Sequence, residues 1–223
     1  MEPLNPIHWE AITPELCKLL QFIGTCPFVK RFYLAGGTAL ALRLGHRRSI
    51  DLDFFSNVDT VSRATRQEIL RVLASRGAQA IEATEGNLLL DVQGVHVGFF
   101  SYSYPLLDPT EDVQGAAVAS ITDIGLMKLD ALISRGARKD FYDLYWIAQQ
   151  IPLADLLEMG REKYPYARDF EWLAVEGLVY FDNANRDVQP LLLEDVPWEE
   201  VKAFFRTEAR RLGNVWLRRE EKD

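Results

Sequence analysis

The sequence predicts an α+β fold, with a small mixed β-sheet in the first part of the chain and helices in the rest. Residues 32–56 have the order strand, glycine turn, short helix and second strand. Residues 78–102 alternate apolar and polar side chains around glycine turns, as β-hairpins do. Beyond them, apolar residues recur at helical spacing. We therefore expect an α/β core over residues 1–105 and a helical part over residues 106–223, with a ligand cleft between them.

Glycines, prolines and capping residues set the expected boundaries of the elements. Thr13-Pro14-Glu15 is typical of a helix start, and Gly24 of a helix end. Residues 105–115 are rich in proline, aspartate and glycine and are expected to form a loop. We expect helices at 8–24, 60–76, 121–134, 139–150, 153–164, 170–183 and 198–212, and strands at 31–35, around 51–53, and at 78–83, 88–93 and 95–102.

The most informative turn follows the first strand. Two adjacent glycines, Gly36 and Gly37, let the backbone turn sharply and leave room for a bulky anion beside the main chain. If Thr38 opens a helix, the free N–H groups of its first turn point at that anion. The Thr38 hydroxyl would add a further donor.

Two acids follow on the next predicted strand. Asp51 and Asp53 are two residues apart, so both side chains should face the same way, with Cα atoms roughly 7 Å apart. Two carboxylates at that spacing suit a hard cation. Ile50, Leu52 and Phe54 are expected to point the other way, into a core. A lone Gly-Gly is usually a simple turn and a lone D-x-D a solvated strand end, but their order here favours a site for a nucleoside triphosphate and Mg²⁺.

Composition narrows the class of protein. A formal charge of −8 argues against a non-specific nucleic-acid binder, although a local basic patch stays open. Cys17 and Cys26 lack C-x-x-C spacing, which favours free thiols over zinc. No signal-peptide pattern and no apolar run long enough to span a membrane occurs, so we expect a soluble cytoplasmic protein. The phosphate-loop pattern G-x-x-x-x-G-K-[ST] is absent from the sequence.

The segment AGGTALALRLGHRRSIDLDFF resembles the first motif of the nucleotidyltransferase superfamily with the DNA polymerase β-like fold. More closely, it resembles the AbiEii/AbiGii toxin family of type IV toxin–antitoxin systems. The resemblance implies a nucleotidyltransferase core in which Asp51 and Asp53 hold Mg²⁺. The nucleotide-binding residues that it implies in this segment are Gly36, Gly37, Thr38, Arg47 and Ser49.

A second segment, DIGLMKLDALISRGARKDFYDLYWI, resembles later motifs of the same family. The resemblance implies that Lys128 meets the triphosphate and that Lys139 and Asp140 face the nucleotide or the reacting group. A lysine ammonium is a compact charge suited to phosphate oxygens. Asp140 and Asp143 would also suit a helix N-terminus, where Lys139 would not. The expected catalytic residues are thus Asp51, Asp53, Lys128 and Asp140.

One position departs from the family pattern. A strand after the hairpin would supply a third acid, but the matching segment, VHVGFF, has Gly98 at that place. Asp91 on the neighbouring strand is an alternative acid, and His96 shares a strand face with Gly98 but has a simple structural role as its alternative.

The expected activity is Mg²⁺-dependent transfer of a nucleoside monophosphate from a nucleoside triphosphate. The resemblance implies an RNA acceptor, with tRNA favoured, a toxic outcome and a cognate antitoxin partner. Gly98 favours a second hypothesis, a catalytically weak nucleotide-binding module of the same fold. A third is an enzyme that transfers a nucleoside monophosphate to a protein.

Overall fold

The computed structural model describes the backbone of residues 1–220 and the side chains of residues 1–214. The chain forms two compact units, Met1–Ser120 and Ile121–Asp223. The first contains the β-sheet and the second is helical, which confirms the predicted α+β class. No helix within the described residues is both long and apolar enough to cross a membrane.

The sheet of the first unit has seven strands in the order β3-β4-β5-β2-β1-β7-β6. It is mixed, because β2 runs parallel to β5 and β1 runs parallel to β7, whereas the other neighbouring pairs are antiparallel. The middle strand is β2, where buried residues alternate with partly exposed ones, and all three residues of its neighbour β1 are buried. The strands are β1 (Tyr33–Ala35), β2 (Leu52–Ser56), β3 (Ala78–Thr84), β4 (Asn87–Val92), β5 (Val95–Ser101), β6 (Glu111–Val113) and β7 (Ala116–Val118).

Three α-helices accompany this sheet: α1 (Pro14–Gly24), α2 (Gly36–Leu44) and α3 (Arg63–Leu73). The side chain of Thr13 accepts a hydrogen bond from the N–H of Leu16 at 3.2 Å, so α1 begins at the predicted cap. Residues 8–12, predicted to be helical, instead contain a 3₁₀ turn at Trp9–Ala11 and an extended Ile12. Helix α2 ends at Gly45, which takes the left-handed conformation with φ of 65°.

Residues 105–115 are not all loop, as the sequence had indicated. Strands β6 and β7 form a hairpin here, turning through Gln114 and Gly115, whose φ angles are both positive, at 56° and 86°. Each strand has three residues, too few to show an alternating pattern. Because β7 pairs with β1, the first unit extends to Ser120 rather than to residue 105.

The second unit packs its helices around aromatic side chains. The Phe141 ring lies 5.4 Å from the Phe205 ring and 5.6 Å from the Trp198 ring, centroid to centroid. The predicted helix at 170–183 is two helices, and the last helix continues past Gly213, because one helical glycine costs only about 1 kcal/mol. The helices are α4 (Ile121–Ser134), α5 (Arg138–Ala148), α6 (Leu153–Lys163), α7 (Phe170–Gly177), α8 (Asp182–Arg186) and α9 (Trp198–Glu220).

Candidate active site

The glycine turn joins β1 directly to α2. Gly36 has a φ of 66°, a conformation that side chains rarely adopt, and a Cβ there would lie 3.0 Å from Oδ2 of Asp53. Ala35, at the N-cap, provides no side-chain hydrogen bond to the helix. The first-turn N–H groups of α2 therefore begin beside a carboxylate and lack a side-chain cap.

The two predicted metal ligands lie on one face of the sheet. Asp53 pairs with Ala35 on one side and with Gly98 on the other, and Asp51 lies just before β2. Oδ1 of Asp51 is 3.7 Å from Nδ1 of His96, which shares that face with Gly98. Both acids are partly exposed.

The opposite face of β2 belongs to the core. Leu52 and Phe54 are fully buried there, as predicted. The prediction for Ile50 was wrong, because its side chain is 63% exposed. Strand β2 begins only at Leu52, so the alternation of the strand does not extend back to Ile50.

Arg47 packs against the glycine turn from inside the protein. A Cβ at Gly37 would lie 2.3 Å from a terminal nitrogen of the Arg47 guanidinium, so only glycine leaves room for this contact. The guanidinium is buried and donates a hydrogen bond to the carbonyl of Arg48 at 3.1 Å. Arg47 therefore places a positive charge directly behind the turn.

Thr38 and Ser49 tie the turn to the strand that carries the acids. The Thr38 hydroxyl lies 2.8 Å from the Ser49 hydroxyl and contacts the carbonyl oxygen of Asp51. Both side chains are buried. Their hydroxyls are thus engaged within the protein, where they hold the first turn of α2 against the chain entering β2.

The second unit contains a buried cluster of predicted residues. Nζ of Lys128 lies 2.8 Å from Asp140 and 2.6 Å from Asp143, and all three side chains are at most 5% exposed. Arg135 donates two hydrogen bonds to Asp140, at 2.8 and 3.0 Å. Lys139, which was grouped with these residues, is exposed near the start of α5.

Opposing effects set the protonation of Asp140. Burial alone would raise its pKa, but the charges and hydrogen bonds of Lys128 and Arg135 outweigh burial and lower the pKa to about 2. Asp140 is therefore ionised at neutral pH, and the cluster holds two carboxylates and two cations.

The place of the missing third acid is filled by an aromatic ring. A Cβ at Gly98 would lie 2.3 Å from the ring of Phe100 and 3.2 Å from Oδ1 of Asp53. The Phe100 ring therefore occupies the space beside Asp53 that a side chain at position 98 would need. Sequence reasoning missed Phe100, because nothing in the local pattern shows that its ring lies over Gly98.

Asp91 does not replace that acid. It lies opposite His96 on β4, and its Oδ1 accepts a hydrogen bond from the N–H of Gly94 at 3.2 Å. Its carboxylate therefore caps the β4–β5 turn. Across the described part of the chain, no three His, Cys, Asp or Glu side chains are grouped closely enough to hold a metal by themselves.

The second unit also contains a buried ion pair that the sequence analysis did not predict. Nζ of Lys163, at the end of α6, lies 2.7 Å from Oδ1 of Asp123, at the start of α4, and neither side chain is exposed. Asp123 is an acid in the first turn of α4, where acids are common, and no local signal marks Lys163. The pair connects these two helices.

Comparisons with known proteins found a matching family and a sequence relative. A family profile described as "Nucleotidyl transferase AbiEii toxin, Type IV TA system" matches residues 18–214. An uncharacterized protein of Aquifex aeolicus (strain VF5) is 36% identical over 196 residues, which are 84% of this chain and 89% of that protein.

Solved structures share the fold. MenT4, a nucleotidyltransferase toxin of Mycobacterium tuberculosis H37Rv, is 19% identical with a TM-score of 0.58, over 89% of this chain and 83% of that chain. JHP933 from Helicobacter pylori is 18% identical with a TM-score of 0.55, over 93% of this chain and 94% of that chain.

Proposed function

The chain belongs to the AbiEii nucleotidyltransferase toxin family of type IV toxin–antitoxin systems, and from that membership we propose that it transfers a nucleoside monophosphate to RNA, with tRNA the favoured acceptor. The observation that carries the proposal is the contact between the glycine turn and the acids. The glycine turn and the Asp53 carboxylate approach so closely that a Cβ at Gly36 would lie 3.0 Å from Oδ2 of Asp53. A triphosphate on the turn would therefore lie beside the acids.

The donor set fits Mg²⁺. Asp51 and Asp53 supply carboxylate oxygens on one face, and glycine at position 36 keeps a Cβ away from Oδ2 of Asp53. Two carboxylates would leave most coordination positions of the ion open. Mg²⁺ usually fills such positions with substrate phosphates and water. When bound there, the ion would neutralise charge on the triphosphate.

The chain's own residues orient the reaction. The first-turn N–H groups of α2 bind phosphate oxygens, and the buried Arg47 charge behind Gly37 favours the anion. Thr38 and Ser49 hold this turn in place. A hydroxyl oxygen of the acceptor forms a bond to the α-phosphorus, the bond to pyrophosphate breaks, and the hydroxyl proton passes to solvent.

Substitution of the acids tests the proposal. Asp51→Asn and Asp53→Asn should each lower transfer of label from α-labelled nucleoside triphosphates to total tRNA by roughly 100-fold, since a lost metal ligand removes several kcal/mol of charge stabilisation. Asp91→Asn is the matched control, because it changes an acid on the same face that caps a turn. Full transfer by both acid variants would rule the mechanism out.

A second candidate is a module that binds the nucleotide without transferring it. The Phe100 ring beside Asp53 favours it, because it stands where a third carboxylate would assist the attacking hydroxyl. Calorimetry with Mg²⁺ and each nucleoside triphosphate, combined with the transfer assay, separates the two. Binding without product in any RNA or protein fraction would favour the module.

The proposal includes an antitoxin and a cytoplasmic location. Family membership supports a cognate antitoxin partner, and nucleoside triphosphates and tRNA are both cytoplasmic. Expression of the chain alone should arrest growth, whereas expression of Asp53→Asn should not. Growth arrest by that variant at equal protein level would contradict toxicity through transfer.

A further inference from the structure

An aromatic strip continues the acidic face of the sheet. It consists of Phe55, Phe100, Tyr102 and Tyr104, each of which is partly exposed. The Phe55 ring lies 5.2 Å from Phe100 and 5.8 Å from Tyr102, and Tyr102 lies 5.0 Å from Tyr104, centroid to centroid. Phe55 also stacks on Tyr33, with the ring centroids 6.2 Å apart. The contacts between the four rings make one continuous, partly exposed aromatic surface.

The strip begins directly beside the candidate metal site. Phe55 is two residues beyond Asp53 on β2, so both side chains face the same way. A Cβ at position 98 would lie 2.3 Å from the Phe100 ring and 3.2 Å from the Asp53 carboxylate, so the ring and the carboxylate are close neighbours. A molecule bound at the acids would therefore meet the strip.

The strand register places the strip and the glycine turn on opposite sides of Asp53. Ala35, immediately before the turn, pairs with Asp53, whereas Phe55 pairs with Tyr33, further back along β1. Pyrophosphate leaving toward the turn would depart from one side of Asp53. In phosphoryl-group transfer the attacking and leaving oxygens are roughly in line, so the acceptor approaches from the other side, over the strip.

We infer that the aromatic strip stacks against the terminal nucleobase of the acceptor RNA. This inference rests on the proposed function. Single-stranded RNA ends are typically bound by stacking on aromatic side chains. A chain with a formal charge of −8 is poorly suited to holding RNA mainly through phosphate contacts, which makes stacking the stronger means of recognition.

Conservative substitutions test the strip in the full-length protein. Phe55→Leu and Phe100→Leu should each raise the KM for total tRNA about tenfold, the equivalent of ~1.4 kcal/mol of lost stacking. The dissociation constant for the nucleoside triphosphate, measured by calorimetry, should stay within about twofold. Phe100→Tyr keeps a ring and should restore the KM, and Tyr166→Leu, at a side chain that is 93% exposed, is the control for loss of a surface aromatic.

A binding readout separates this inference from the proposed chemistry. A short RNA with 2-aminopurine at its 3′ end should lose fluorescence on binding to the wild type and to Asp53→Asn, but not on binding to Phe55→Leu or Phe100→Leu. Quenching by Asp53→Asn without transfer supports both proposals. Transfer that survives in Asp53→Asn overturns only the proposed metal-dependent transfer, because quenching still measures stacking on the strip.

Two results would overturn the inference that the strip stacks on the RNA base. One is an unchanged KM for tRNA and unchanged quenching in both leucine variants, confirmed as folded by circular dichroism. The other is a fall in nucleotide affinity with RNA affinity unchanged, which would assign the rings to the base of the incoming nucleotide.

Discussion

At the scale of single residues, Gly98 and Phe100 form a coupled pair. The glycine leaves a space beside Asp53, and the Phe100 ring fills it. A methyl group at position 98 would lie 2.3 Å from the ring, so the ring must move to accommodate it.

This coupling is measurable by a double-mutant cycle. Gly98→Ala should lower the free energy of unfolding by about 1–3 kcal/mol through overpacking. Adding Phe100→Leu should remove part of that loss, because the clash between the new Cβ and the Phe100 ring disappears. In urea unfolding, the loss in the double variant should therefore differ from the sum of the two single losses by at least about 0.5 kcal/mol. Additive effects would show that the ring does not fill the space.

Asp140 makes stability depend on pH. Its pKa is lowered to about 2 from an ordinary value of 3.8, so its charge stabilises the fold above about pH 4. That contribution, about 2 kcal/mol, is lost as the pH falls from about 4 to about 2. Protonation at low pH is thus the change that weakens the cluster.

Asp140→Asn tests this dependence. At neutral pH the variant should be less stable by about 3 kcal/mol, because Lys128 and Arg135 lose a buried partner. The gap between wild type and variant, from urea unfolding, should shrink by about 2 kcal/mol between pH 4 and pH 2. The exposed Asp155→Asn is the control, and a gap that stays constant with pH would contradict the assignment.

At the scale of elements, the N-terminal segment clamps α2. The family match begins at residue 18, yet earlier residues bind the end of α2 and the segment that follows it. The N–H of His8 donates to the carbonyl of Leu42 at 2.9 Å, and the N–H of Ser49 donates to the carbonyl of Ala11 at 2.9 Å. The first bond satisfies a carbonyl in the last turn of the helix.

His8→Pro removes that N–H, whereas His8→Ala keeps it and removes only the ring. Because the Leu42 carbonyl would be left without its donor, His8→Pro should cost about 1–3 kcal/mol more in urea unfolding than His8→Ala. Equal losses in the two variants would show that only the ring contributes.

At the scale of the whole molecule, negative charge limits how RNA can bind. The 25 lysines and arginines are outnumbered by 33 aspartates and glutamates, so the chain as a whole repels RNA phosphates. Binding that depends on stacking and on one or two phosphate contacts should depend only weakly on salt.

We expect the affinity for tRNA to fall by less than about tenfold between about 50 and 200 mM salt. Fluorescence anisotropy with labelled tRNA measures this change, and a nonspecific basic protein serves as the steep reference. A fall of about 1,000-fold would reveal a dense phosphate-binding surface and would contradict recognition mainly by stacking.

The sequence by itself determined the local order of the motif. Positive φ at Gly36, the presence of a helix after the turn and the shared face of Asp51 and Asp53 follow from residues close together in the chain, although α2 begins at Gly36 rather than at Thr38. Backbone sterics and the two-residue period of a strand are local properties. The assignment of these residues to phosphate and metal remains a prediction.

Only the tertiary structure decided which distant residues meet these local elements. The parallel pairing of β2 with β5 places Gly98 and the Phe100 ring beside Asp53, and strand pairing across dozens of residues leaves no local pattern. The same holds for the burial of Lys128 against Asp140 and Asp143 and for the partner of Lys163. Such contacts arise from packing, where a side chain's neighbours depend on the whole unit rather than on its own stretch of chain.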